Sequence, residues 1–377
     1  MITEEQRFIQ NTAQSFAENY LKPHSSHWAE THTFPTTALQ EMAKLGFMGM
    51  LIPETWNGSD IGHLAYALVI EEIAAGDAST STIVSVHNGL VCTALLNYGN
   101  QEQQERFLKS MAKGDKLGAF CLTEPDAGSD VANLKTKASK SEQGYVLNGT
   151  KQFITSGKHA DFALIFALTD PTAGKNGISA FIIPTDLPGY VVSRIEDKMG
   201  QEAAVTVQLN FDDLTISKNH LLGSEGEGYK IALSQLECGR IGIAAQCLGI
   251  ARQAFETALA FAKERVTFGK CLVQHQGVSF QLAEMATQIE AARQLTLHAA
   301  QLKDANMPCL KEAAMAKLFA SEMVENVCRT AIQIHGGYGY MRDYGVERLY
   351  RDARVCSIYE GTSEIQKILI SRALTKP

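Results

Sequence analysis

The chain has 377 residues, 45 % of them hydrophobic and 20 % charged, enough for two or three globular domains. Its net charge of −7 argues against a surface made to grip nucleic acid, while leaving room for a local basic pocket facing an anionic ligand. None of the eight cysteines forms a CxxC pair, so the sequence carries no zinc or iron–sulfur framework and no metal is expected. No apolar run is long enough to cross a bilayer, and the first residues carry a polar helix signal. These features read as a reduced, cytoplasmic protein, with a trimmed organelle precursor as the alternative.

The first hundred or so residues read as helices. Thr3 and Gln6 have the spacing of a capping box, and Ile9, Ala13, Phe16 and Tyr20 then form one apolar face. Pro23 is expected to end that helix or to lie just past its end. Further helices are predicted at 36–46, 63–76 and 82–98. From Gly118 to about 215 the runs are short and rich in β-formers, as in FALIFAL at 162–168, ISAFIIP at 178–184 and TVQLNF at 206–211. Val207, Leu209 and Phe211 alternate with polar residues, as a half-buried strand requires. Strands without intervening helices imply an antiparallel sheet or barrel. After the GSEGEG turn at 223–228, four helices are predicted at 228–264, 274–304, 309–335 and 346–372, the last interrupted near Glu360. They form the pattern of an antiparallel bundle. No GxGxxG follows a strand, which argues against a nicotinamide-binding Rossmann unit. The expected architecture is α+β with three domains: helical at 1–117, β at 118–225 and a four-helix bundle at 226–377.

Five segments carry chemistry. They are CLTEPDAGSD at 121–130, GTKQFITSG at 149–157, RVTFGK at 265–270, QIHGGYGY at 333–340 and RDARVCSIYEGTSEIQ at 351–366. In the last, Glu360 precedes a glycine that lets a ligand approach the backbone closely. An apolar wall including Ile358 would desolvate the carboxylate and raise its pKa towards neutrality, as a general base needs. Without the rest of the motif, Glu360 reads equally well as a solvated acid at a helix break. Glu237 and Arg240 have the spacing of an intrahelical ion pair. Arginine at 265 suits a diphosphate through its two-pronged fork. His24 with His27 and Cys271 with His275 lack partners and read as incidental.

In that order and spacing the five segments resemble the acyl-CoA dehydrogenase family, and the resemblance spans nearly the whole chain. It implies FAD-dependent conversion of an acyl-CoA to the trans-2-enoyl-CoA. Glu360 would take the α-proton, and FAD would take the β-hydride and pass electrons to an electron-transfer flavoprotein. The family's other base position falls on Gly239 here, which cannot act as one. The resemblance places the flavin against Phe120, Leu122, Thr123 and Ser129 in one loop and Phe153, Ile154 and Thr155 in another. It adds Arg265, Thr267, Phe268, Gln333, Gly336 and Gly337, which in the family reach the flavin of a neighbouring subunit, with Thr362 and Glu364 as the last contacts. Ser129, Glu237, Arg240, Tyr359 and Gly361 match positions at the acyl-CoA. A homotetramer built as a dimer of dimers follows, and short- to medium-chain substrates are expected from the similarity of SVHNGL and LECGRIGIAAQCLGIA to the short-chain and short-branched-chain branches. Two rivals are a flavin oxidase on the same fold and a non-catalytic scaffold. The intact Glu360 argues against the relatives that lack the base or use aspartate, and the end LTKP is not an SKL-type address.

Overall fold

The Thr3/Gln6 capping box forms as expected, with Gln6 N donating to Thr3 Oγ1 at 3.1 Å and Thr3 N to Gln6 Oε1 at 3.0 Å. It opens α1 (Glu4–Phe16). Pro23 does not end this helix. A π turn at Ala17–Leu21 shifts the hydrogen-bond register, and α2 (Lys22–Thr31) resumes with the proline in its first turn. The register shift of the π turn accommodates the proline without breaking the rod. The rod ends at His32, whose φ is 52°. The computed structural model describes residues 2–375, so the last two residues of the LTKP run lie outside the described residues.

Helices α3 (Thr36–Lys44) and α4 (Gly62–Gly76) follow as predicted. Helix α5 (Ala78–Val86) begins before residue 82 because Asp77 caps it, its Oδ2 accepting from Thr80 N at 2.7 Å. It continues through a π turn at His87–Cys92 into α6 (Thr93–Tyr98). The sequence reading missed the next helical stretch, α7 (Gln101–Gln103), a π turn at Gln104–Leu108 and α8 (Lys109–Ala112), although Asn100 and Gln103 form a capping box at its start.

Eight strands form one sheet: β1 (Gly118–Cys121), β2 (Lys137–Ser141), β3 (Gly144–Thr155), β4 (Phe162–Leu168), β5 (Ile178–Pro184), β6 (Tyr190–Ile195), β7 (Thr206–Ser217) and β8 (Leu221–Leu222). The order is β6-β7-β3-β2-β4-β5-β8, with β1 paired to β4. The pairing is antiparallel except that β1 and β2 each meet β4 in parallel. Chain direction at β1 is set by its entry from the helices, which leaves no hairpin to reverse it. Val207, Leu209 and Phe211 of β7 are buried while Gln208 and Asn210 are not, so the predicted alternation holds.

Helix α9 (Gly228–Glu264) spans the predicted range; α10 (Gln276–Asp304), α11 (Leu310–His335), α12 (Val346–Ala353) and α13 (Ser363–Thr375) complete the bundle. The break near residue 360 lies between α12, a 3-10 turn at Arg354–Ser357, and α13. One apolar core runs through both helical regions, and α4 is buried along almost its whole length against α1, α9 and α10. Backbones of α4 and α9 approach so closely that a Cβ on Gly249 would stand 2.1 Å from the Glu71 carbonyl. Buried Glu71 and Glu72 of α4 are met by Arg293 of α10 and Arg252 of α9, so the charges on this apolar helix are paired.

Candidate functional site

The break before α13 is a left-handed turn. Glu360 has φ 52° and Gly361 φ 97°, an arrangement that a residue with a side chain rarely adopts and that its surroundings must hold in place. They do. Buried Lys317 of α11 donates from Nζ to the Gly361 carbonyl at 2.8 Å. Buried Gln366 of α13 donates from Nε2 to the same carbonyl at 2.8 Å and to that of Glu360 at 3.3 Å. Thr362 caps the next helix, its Oγ1 accepting from Ile365 N at 3.4 Å.

Both carboxylate oxygens of Glu360 are buried and have no hydrogen-bond partner among the described residues. Burial pushes the carboxyl pKa up to about 7, and the positive charges of Lys317 and Arg240 hold it from going further. The space it occupies exists because residue 239 of α9 is glycine: a Cβ there would stand 1.8 Å from Glu360 Oε2 and 3.0 Å from Leu90 Cδ2. The apolar wall was expected to include Ile358, but that side chain is half exposed. Leu90 and the glycine face of α9 take its place. Arg240 is buried with Nε and Nη1 unpartnered. The spacing-based ion pair with Glu237 does not form, because Glu237 turns to Lys303 of α10 at 2.7 Å. Tyr359 directs its hydroxyl into the interior, where it bonds Gln246 and lies 3.6 Å from Cys356 Sγ.

The two loops of the sheet region are locked to each other. Gln152 N donates to the Thr123 carbonyl at 2.8 Å, and buried Lys151 Nζ donates to the Leu122 carbonyl at 3.0 Å and to Glu124 Oε1 at 2.7 Å. Glu124 also accepts from the backbone N–H groups of Lys135 and Thr136. At this point the β3–β7 register slips between Lys151 and Ile154. The slip places Phe153 at φ 60°, 63 % exposed, between a half-buried Gln152 and a buried Ile154. Phe120 and Thr155 are partly buried, Leu122 is buried and Ser129 exposed, and a Cβ on Gly128 would meet nothing within 4 Å. The short hairpin at 265–271 exposes Phe268 almost completely. Arg265 lies over the ring of Tyr338 at 5.5 Å, which brings RVTFGK to QIHGGYGY. Gly336 and Gly337 have open space where a Cβ would stand, and Gln333 beside them is exposed. Thr267 is partly buried, its carbonyl 3.1 Å from His275 Nε2, so His275 pairs within the hairpin and not with Cys271. Glu364 is exposed on the first turn of α13.

Sequence reasoning missed Lys317, Gln366, Lys151 and Glu124. The only local signal was that Glu124, Lys151 and Gln366 fall inside three of the five segments; Lys317 lies in none. Among the described residues no group of three metal-ligating side chains exists.

Comparison with known proteins shows the family. The family model described as "Acyl-CoA dehydrogenase, N-terminal domain" matches residues 3–115, the middle-domain model 119–214 and the C-terminal-domain model 226–375. An "Acyl-CoA dehydrogenase" of Bacillus subtilis is 46 % identical over 99 % of this chain and 98 % of its own. An "Acryloyl-CoA reductase (NADH)" of Anaerotignum propionicum is 43 % identical over 100 % of this chain and 95 % of its own. The solved butyryl-CoA dehydrogenase of Megasphaera elsdenii superposes with a TM-score of 0.98 at 40 % identity, covering 100 % of this chain and 99 % of that one.

Proposed function

The chain belongs to the acyl-CoA dehydrogenase family, and from its site we propose that it is an FAD-dependent acyl-CoA dehydrogenase acting on short- to medium-chain thioesters, with Glu360 as the base. One observation supports the assignment of the base above all others: both carboxylate oxygens are buried and have no hydrogen-bond partner among the described residues, surroundings that push the pKa up to about 7. Such a group is half ionised at neutral pH and gains a proton at little cost. It takes the α-proton from the thioester, the C–H electron pair shifts towards the thioester carbonyl, and the Glu360 backbone N–H stabilises the charge arriving on that oxygen. Arg240, unpartnered at two nitrogens beside this carboxylate, supports the same negative charge.

The residues present fit FAD. The register slip at Phe153 offers an exposed aromatic face beside backbone donors, the open glycines 128, 336 and 337 allow close approach, and Arg265 suits the diphosphate. FAD bound there supplies the two-electron acceptor for the hydrogen leaving Cβ. Phe120, Leu122, Thr123, Ser129 and Phe153 to Thr155 hold the ring end, with Thr362 and Glu364 at its edge. Arg265, Thr267, Phe268, Gln333, Gly336 and Gly337 serve a neighbouring copy in a homotetramer. The near-complete exposure of Phe268 and of Tyr340 supports a covered role for that face. Tyr359 and Gly361 shape the acyl-CoA side of the turn, with Glu237 and Ser129 at its rim. An electron-transfer flavoprotein takes the electrons, and the enzyme works in the cytoplasm. No described helix is long and apolar enough to cross a membrane.

The same proton site serves the reverse addition, the direction named for the Anaerotignum propionicum relative. Butyryl-CoA and crotonyl-CoA turnover, measured with a flavoprotein acceptor and with NADH as donor, decides the direction. Anaerobic bleaching of bound FAD by butyryl-CoA, lost in Glu360→Gln, tests the proposal itself. Unchanged bleaching in that variant refutes the base.

A further inference from the structure

Lys317 sits in the N-terminal third of helix α11, 43 residues before Glu360 in the chain, in a stretch of alanines and other buried side chains. A lysine at 0 % exposure is a rare and costly arrangement. Among the described residues its ammonium meets no carboxylate at contact distance; its hydrogen bond goes to the Gly361 carbonyl at 2.8 Å. Gln366 grips the same carbonyl from the opposite end of the turn. The left-handed backbone at 360–361 is therefore bridged to two helices by buried side chains.

We propose that Lys317 is the positioning residue for Glu360: it fixes the turn that aims the carboxylate past Gly239, and its charge keeps that carboxylate ionisable inside the apolar site. The inference rests on the reading of Glu360 as the base. Gln366 shares the first task and not the second, because it is neutral.

The groups facing the pair come from every neighbouring element. Arg240 and Gly239 of α9 and Tyr66 of α4 face Glu360. Cys247 of α9, Cys356 of the 3-10 turn, Arg240 and Glu360 face Lys317. Burial pulls the Lys317 ammonium down while these thiols and the carboxyl support it. Burial pushes Tyr66 well above its ordinary range, so it stays neutral through the neutral pH window.

Two readouts on the FAD-loaded protein test this. The first is the pH dependence of anaerobic bleaching by butyryl-CoA. The second is the titration of the Glu360 carboxyl by 13C NMR with glutamate labelled at Cδ, its resonance identified by its loss in Glu360→Gln. Lys317→Met and Lys317→Gln both remove the charge, and Gln keeps a donor for the Gly361 carbonyl. Both variants are expected to raise the Glu360 midpoint by roughly one pH unit, so bleaching at pH 7 falls about fivefold and recovers at higher pH. Lys317→Met is expected to lose a further factor of about ten at every pH, because the turn is released. A folded Lys317→Gln protein with an unmoved midpoint in both readouts overturns the proposal. If neither lysine variant folds, Gln366→Leu decides: it leaves the charge, and the account requires slower bleaching with an unmoved midpoint, so an unchanged rate overturns it. The carboxyl titration needs no turnover. A shifted midpoint in a protein that no acyl-CoA bleaches sustains the Lys317 assignment and refutes the dehydrogenase reading.

Discussion

Gly239→Ala isolates the geometry on which the account depends. The new Cβ would stand 1.8 Å from Glu360 Oε2 and 2.7 Å from its Cδ, against an ordinary contact of 3.4 Å or more. The carboxylate must withdraw by roughly 1.5 Å, since the helix backbone carrying the methyl cannot. The clashing group is the end of a side chain, so the fold tolerates the change. Alanine in a helix interior even favours folding by about 1 kcal/mol over glycine, which offsets the rearrangement in part. A misplacement of about 1 Å at a reacting group costs on the order of a hundredfold in rate. Gly239→Ala protein should therefore keep its FAD and its melting temperature within a few degrees, while anaerobic bleaching by butyryl-CoA slows about a hundredfold. Stopped-flow absorbance of the bound flavin measures this. A rate within threefold of the parent, with FAD retained, refutes the placement of Glu360 against α9.

Three further predictions follow from the same contacts. With its pKa at about 7, Glu360 is active as the carboxylate, so the bleaching rate should rise with pH through about 7 and level off above it; a rate flat from pH 5.5 to 8.5 contradicts this. The folded carboxyl binds its proton more tightly than the ordinary value of 4.5 allows an unfolded one, so its contribution to stability is present below pH 4.5 and lost as pH rises through 7. Glu360→Gln should accordingly gain about 3 kcal/mol over the parent in urea unfolding at pH 8, and nothing at pH 4. Lys151→Met leaves Glu124 buried without its cation and should cost about 3–5 kcal/mol. Because the same lysine holds the Leu122 carbonyl, FAD should also dissociate more readily from that variant, read as flavin fluorescence released on dilution.

The sequence revealed what local patterns encode. The bounds of α9 were readable because a glycine-rich turn precedes an uninterrupted helical stretch, and those of β4 and β5 because their apolar runs are short and punctuated, whereas β7 continues six residues past the run at 206–211. Pro23 misled because a π turn, which has no sequence signature of comparable strength, absorbs it. Glu360 was readable from the glycine after it and from the surrounding motif. What holds Glu360 was not: Lys317 and Gln366 sit on helical faces that look solvated in one dimension, and only the packing of α11 and α13 brings them to one carbonyl. Ile358 failed for the same reason, since adjacency in sequence to a desolvated acid does not place a side chain on its wall.

The most direct test is the visible spectrum of the FAD-loaded protein, recorded anaerobically before and after adding acyl-CoAs from butyryl to palmitoyl. Short- to medium-chain thioesters should bleach the flavin, and Glu360→Gln should stay yellow with each of them. A flavin that no acyl-CoA reduces, or one reduced equally well in the Glu360→Gln protein, contradicts this.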